Sequence, residues 1–419
     1  MDLTEPLTVA TDSSSYLGVA EECTRDIVII STADWDHPLW TNNQHTAIRL
    51  AERGFRVLYV ESLGLRRPTR APRDLKRIVQ RCLKSVRGLR RVNARLFVYS
   101  PIVLPFYGSR TARVLNNFLL TSCLSLLLKG LSFRKVIIWT YNPFVFGLRN
   151  AVNASLLIYH CVDDLSSVPG IPSLQVRQAE SIMLERGDVV FATSRALFER
   201  LRTSRPEKTF YLPNVADFDH FSAARAIGAI PPELARIPRP RLGFVGAISS
   251  HKLDLDLVMG VAEKRPDWHW VLVGPPGGAE PESITVALQR PNVHFLGHRP
   301  YQVLPDYLRG IDVAVLPCKI NQYTRSMFPI KFFEYLAAGK PVVATSLPAL
   351  QDYSGSYVRA DSVEEFCQAV KMVLSGHRPD EQLCSQLAER HTWDSRLDQM
   401  LEIIDNVRRS DSSRIEQGL

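Results

Sequence analysis

The stretch SMFPIKFFEYLAAGKPVVATS, residues 326–346, sets a lysine and a glutamate three positions apart, Lys331 and Glu334, in an otherwise apolar run. Pro329 fixes a backbone angle suited to a first helical turn, so the spacing predicts a helix entered through Phe328, Pro329 and Ile330 and ended at Gly339. The unpaired N–H groups of such a helix start attract phosphate. Lys331 adds a positive charge in that turn. Glu334, on the same side one turn deeper, can accept the two hydroxyls of a ribose. The combination suits a nucleoside diphosphate, against the plainer alternative of an i,i+3 ion pair on a solvated face.

Three further groups of residues could contribute. GFVGAISSHKLDLDL (243–257) reads as strand, turn and helix; its Gly246 turn lets backbone approach a phosphate, and Lys252 can reach the same oxygens. The loop before the capping-box pair Thr41 and Gln44 carries Trp35, Asp36, His37, Trp40 and Asn42, aromatic faces and polar groups suited to stacking on a sugar and bonding its hydroxyls. LLIYHCVDD places His160, Asp163 and Asp164 straight after an apolar strand, where a histidine can orient a substrate and an aspartate can take its proton. Packing roles compete with each reading: tryptophans pin loops, and histidines at strand ends fill cores. Neither a metal-ligand cluster nor a G-x-G-x-x-G dinucleotide fingerprint is evident.

These residues need strands whose C-terminal ends converge. Short apolar runs at 26–31, 56–61, 96–100, 135–140, 156–160, 188–193 and 209–214 alternate with longer amphipathic stretches, as do runs at 241–246, 269–274, 293–297, 312–317, 341–345 and 356–360. Two α/β units follow, each with a parallel sheet, and 419 residues are enough for two cores. The expected organisation is a tail at 1–25, a first domain at 26–216, a linker at 217–240, a second domain at 241–392 and a terminal helix at 393–419 that can cross back to the first.

Of the formal net charge of +8, residues 66–95 carry +11, twelve Lys/Arg against Asp74 alone, which leaves −3 for the rest. Positive charge followed by the leucine-rich segment 96–131 is how a protein rests on an anionic membrane surface, although the leucines equally fit the inner face of a crossover helix. No uncharged apolar run of spanning length is seen. The acidic, polar N-terminus is unlike a secretory signal, and seven scattered cysteines indicate neither a disulfide framework nor a zinc site, so a cytoplasmic location, peripheral on the inner face of the membrane, is expected. No recognition motif for nucleic acid accompanies the basic run.

ADWDHPLWTNNQH, YHCVDD, FATSRALFERL, LPNVADFDHF, GFVGAISSHK and above all SMFPIKFFEYLAAGKPVVAT together resemble glycosyltransferases of the GT-B fold, family-4 type (glycosyl transferases group 1), as used in bacterial surface polysaccharide assembly. The resemblance spans roughly residues 26–405. It implies two Rossmann-like domains facing each other across a cleft. It also implies a retaining transfer from a nucleotide-diphosphate sugar to a glycan or lipid-linked acceptor, with Lys252 on the diphosphate and Glu334 on the ribose; the lack of a metal-ligand cluster in the sequence adds the expectation of a reaction without a metal. His160 matches a histidine near the donor sugar. Two departures stand out: Ser326 occupies the position of the first glutamate of the E-x7-E pair, and Trp-Thr-Asn-Asn replaces the first-loop glycines. Those departures keep two rivals open, a nucleotide-sugar epimerase or hydrolase and an inactive membrane-associated binding protein.

Overall fold

The computed structural model describes residues 26–37, 39–65, 83, 88–104, 109–277 and 289–416. The expected N-terminal tail and most of the basic run, apart from residues such as Arg90, Arg91 and Arg95, lie outside them.

Eight strands form the first sheet: β1 (Asp26–Ile30), β2 (Arg56–Val60), β3 (Leu89–Arg91), β4 (Leu96–Tyr99), β5 (Ile137–Thr140), β6 (Leu156–Cys161), β7 (Val189–Ala192) and β8 (Thr209–Tyr211), in the order β3-β4-β2-β1-β5-β6-β7-β8. All pairs are parallel except β3–β4. The second sheet is wholly parallel and contains β9 (Arg241–Val245), β10 (His269–Val273), β11 (Val293–Gly297), β12 (Val313–Leu316), β13 (Val342–Ala344) and β14 (Val358–Arg359), ordered β11-β10-β9-β12-β13-β14. Central strands are buried on both faces, which is why they read as unbroken apolar runs. The antiparallel β3 has no such signature, because its residues are at most half-buried and two are arginines.

Strand order reverses around β1 in the first sheet and around β9 in the second. A crevice opens beyond the C-terminal ends of strands at such switch points. The loops that follow β1, β5, β9 and β12 therefore face one another.

The helix Arg110–Gly130 crosses from β4 to β5 and is long and apolar enough to span a membrane by length and composition, which the sequence reading did not expect. One face, Leu120, Leu124 and Leu128, is packed into the core with Val28, Ile30 and Leu58 of the first sheet. Its other face leaves Val114, Phe118 and Leu126 mostly exposed. The stretch 217–240 is not loose chain either: Phe221, Ala224, Leu234 and Ile237 are buried in the core of the second sheet. The terminal helix Trp393–Glu416 returns to the first sheet, where Leu397, Met400 and Ile404 are buried.

Candidate active site

The loop after β12 and the turn after β9 are tied together by their own backbones. Lys319 N donates to Lys252 O at 2.9 Å, Asp254 N to Pro317 O at 2.8 Å, and the Asn321 side chain to His251 O at 2.8 Å. Asn321 also caps the short helix Gln322–Arg325. From there the chain passes Ser326 and the buried Phe328, which stacks on Phe333 at 5.5 Å between centroids, and enters the helix Ile330–Ala337 with Pro329 at its N-cap. Tyr335 fixes that helix against the end of β9, its hydroxyl accepting from Val245 N at 2.8 Å. The turn is close-packed: a Cβ on Gly274, after β10, would lie 1.9 Å from Gly246 O, and one on Gly246 would lie 3.2 Å from the Phe244 ring, with Lys331 Cε in ordinary contact at 3.9 Å.

Lys331 Nζ meets Glu334 Oε2 at 2.6 Å, with the glutamate side chain only 3% exposed and the lysine 19%. The i,i+3 pair is thus a buried one, beside the Gly246 turn. It is not the solvated-face pair. A desolvated carboxylate with one cationic partner retains acceptor capacity for further donors, such as ribose hydroxyls.

Lys252 lies over the Tyr323 ring, 5.0 Å from its centroid, and the Tyr323 hydroxyl donates to Asp163 Oδ1 at 2.7 Å. Asp163 comes from the loop after β6, so this trio crosses the cleft. Burial raises the carboxyl of Asp163 above the usual aspartate range, with Lys252 and the Tyr323 hydroxyl opposing that rise. Two more bonds bridge the halves: Ser194 Oγ donates to Ser326 O at 2.8 Å, and the Asn214 side chain to Phe328 O at 2.7 Å.

His160 does not present an open nitrogen for proton exchange. It is 1% exposed, and burial, followed by the charge of Arg396, pushes its pKa down to about 3. The indole N–H of Trp139 can only donate, and it points at His160 Nδ1 at 3.3 Å, which leaves the ring proton on Nε2, an atom with no partner among the described residues. The ring is a neutral donor packed by Trp139, Tyr141 and Phe191. Asp164 is also committed locally. It caps the turn Leu165–Ser167 through Ser166 and Ser167, and although burial raises its pKa, those two hydroxyls outweigh it and hold the group below the ordinary range.

The first loop splits. Trp35 packs edge-on against Tyr59 at 5.2 Å, and its backbone N–H donates to Glu61 Oε1 at 2.9 Å. The exposed Asp36 pairs with Arg90 at 2.8 Å, and the exposed His37 closes the loop on Leu39 O at 2.8 Å. Trp40 stacks on Tyr301, which follows β11, at 5.6 Å and 16°. Asn42 turns inward, its side chain donating to Asn214 Oδ1 at 2.9 Å. So Trp40 joins the halves directly and Asn42 only through Asn214, while Asp36 and His37 remain at the mouth. The sequence reading missed Tyr323, Ser194, Asn214, Tyr301, Glu61 and Arg90. Only Tyr323 carried a usable signal, an aromatic in the polar loop leading to the Lys331 helix. Among the described residues no cluster of three or more His, Cys, Asp or Glu could hold a metal ion.

The two facing α/β halves make the GT-B fold, and the similarities that follow support glycosyltransferase activity. Residues 239–376 match the family described as Glycosyl transferases group 1. The chain is similar to a Bacillus subtilis (strain 168) protein that carries the provisional name teichuronic acid biosynthesis glycosyltransferase TuaH, with 26% identity over 399 residues, 90% of this chain and 96% of that protein. Among solved structures, sucrose-phosphate synthase from Thermosynechococcus elongatus has a TM-score of 0.68 at 15% identity, covering 92% of this chain and all of that one. Anabaena HepE in complex with UDP and glucose has a TM-score of 0.65 at 14% identity, covering 91% of this chain and all of that one. At those identities the structural matches speak for the fold.

Proposed function

We propose that this chain moves a sugar from a nucleotide-diphosphate donor, held by the second sheet, to a hydroxyl of a glycan or lipid-linked acceptor held by the first, in the assembly of a cell-surface polysaccharide. The observation that carries the donor assignment is the buried Lys331–Glu334 pair set beside the Gly246 turn, with Lys252 on the adjoining strand-end loop. In this reading Glu334 accepts the ribose hydroxyls. Backbone N–H groups at Ile330 and Lys331, with the Lys252 and Lys331 ammonium groups, offset the charge that develops on the leaving diphosphate. Those cations make a metal unnecessary to the proposed step. The bond from the anomeric carbon to the diphosphate oxygen breaks as the acceptor oxygen bonds that carbon, and Asp163, whose affinity for a proton is raised by burial, receives the acceptor's proton. Retention of configuration rests on the resemblance to the family.

The polysaccharide context is supported by the similarity to the Bacillus subtilis protein, and a nucleotide-sugar donor by the UDP bound in the HepE structure. We place the enzyme on the inner face of the cell membrane through the segment 66–131. Between Asp74 and Asp163 the sequence carries fourteen Lys/Arg and no acidic residue, and Val114, Phe118 and Leu126 of the Arg110–Gly130 helix are 63%, 66% and 71% exposed. Charge and apolar surface together suit an anionic bilayer surface.

The test is to incubate the purified protein with radiolabelled nucleotide sugars, with and without a lipid-linked acceptor fraction. Label transferred only when acceptor is present supports the proposal. Free sugar or an isomerised donor formed without acceptor points to the hydrolase or epimerase. Binding without turnover under either condition points to an inactive protein.

A further inference from the structure

Away from the cleft, at the other end of the Ile330–Ala337 helix, a cavity of about 680 Å³ is lined by three stretches of chain, 224–230, 336–341 and 378–384, together with Arg239 and Arg309. Five of the side chains lining it are cationic, Arg225, Arg239, Arg309, Lys340 and Arg378, and one, Glu381, is acidic. The helix between this cavity and Lys331 is eight residues long, roughly 12 Å at 1.5 Å per residue, so the cavity is a place separate from the donor cleft.

Two of the arginines are fixed by carbonyls. Arg225 donates to Ala337 O at 2.7 Å and Leu336 O at 2.9 Å, covering the negative end of the helix. Arg309 donates to Ala226 O and Ala229 O, each at 2.9 Å, and to Asp306. Glycines admit them: a Cβ on Gly228 would lie 3.1 Å from Arg309 Cζ, and one on Gly339 would lie 3.3 Å from Arg225 Cγ. Carbonyls orient a cation without cancelling its charge. Lys340 is held by Arg309 O at 3.2 Å and Ile311 O at 3.0 Å. Among the described residues Arg225, Lys340 and Arg378 have no carboxylate within ion-pair distance, and Arg239 shares Asp312 at 2.8 Å. Burial, with Arg239, Arg378 and Arg309 acting against the partial support of Asp312, pushes the Lys340 amine down to about 8. Like charges gathered around a recess at this cost are relieved when an anion enters.

We infer that this cavity is a second binding site, for a sugar-sized molecule bearing a phosphate dianion, gripped by Lys340, Arg378 and Arg239. The recess is larger than a bare phosphate needs, and its lining includes the apolar residues Ile227, Ile230 and Pro341, against which a sugar ring can rest. The site is independent of the donor assignment.

Calorimetric titration of the full chain at low salt with glucose 6-phosphate, and with glucose as the uncharged control, tests this. The expected result is saturable binding of the phosphate ester and none of glucose, with affinity at least tenfold weaker in Lys340→Met and in Arg378→Ala and unchanged in Lys252→Ala. Arg378 is exposed, so its variant keeps the test open if Lys340→Met fails to fold. Absence of binding to the wild type would overturn the inference, as would affinity retained in Arg378→Ala, or affinity lost in Lys252→Ala, which would place the ligand in the donor cleft. None of those outcomes bears on whether nucleotides bind beside Glu334.

Discussion

The two sides of the cleft handle their polar residues differently. On the second sheet the candidate residues sit on two neighbouring loops and the start of one helix: Lys331 and Glu334 are partners one helical turn apart, and Lys252 lies over Tyr323 of the adjoining loop. On the first sheet the polar residues at strand ends are spoken for by distant partners: Asp163 by Tyr323, Asn42 by Asn214, and His160 by an aromatic cage. In the proposed function one side is the receptor for charge. The other is a set of struts, of which the Asp163–Tyr323 bond crosses between the halves while the Asn42–Asn214 bond and the cage around His160 lie within the first.

The largest effect is expected where the receptor side is broken. Lys331→Met leaves Glu334 buried without its cation, and loss of one partner of a buried pair costs about 3–5 kcal/mol. Urea unfolding should show that loss, and the double variant Lys331→Met/Glu334→Met should recover most of it while remaining unable to bind donor. Next comes acid sensitivity on the strut side. His160 has a folded pKa near 3, below its ordinary 6.5, so the unfolded chain binds a proton that the native state refuses between those values. Stability from this group is present above pH 6.5 and drains away as pH falls toward 3, by about 2–4 kcal/mol. His160→Gln should flatten the fall in melting temperature over that window.

The contact between the halves is probed by Tyr323→Phe, which removes the bond to Asp163 and leaves the ring under Lys252. A hydrogen bond to a charged group contributes about 1.5–3 kcal/mol, so kcat/KM should drop roughly tenfold or more while nucleotide affinity changes little; an equal drop in both would move Tyr323 to the receptor side. The smallest effect is expected outside the cleft. Phe118→Glu with Leu126→Glu should weaken co-sedimentation with anionic vesicles, leaving activity on a soluble acceptor unchanged.

The same contrast explains how much was legible beforehand. The α/β alternation could be read because buried parallel strands are apolar end to end, and β3 escaped because Leu89, Arg90 and Arg91 form an exposed edge. Lys331 and Glu334 could be paired from sequence, being one helical turn apart. Asp163 and Tyr323 are 160 positions apart, Asn42 and Asn214 172, and Asn214 and Phe328 114. Nothing local marks such residues as partners. Asp164 shows the converse: its chemistry-bearing type at a strand end suggested catalysis, but two serines just downstream supply hydroxyls that turn it into a cap.

The central claim is that Lys252 and Glu334 hold a nucleoside diphosphate. Melting temperatures of the wild type, Lys252→Ala and Glu334→Ala should be measured with UDP, GDP, ADP and dTDP. A ligand at 100 times its dissociation constant adds about 2.7 kcal/mol of stability. The account predicts that one nucleotide stabilises the wild type and that the shift disappears in both variants. Absence of a shift with all four nucleotides, or a shift that survives both substitutions, would contradict it.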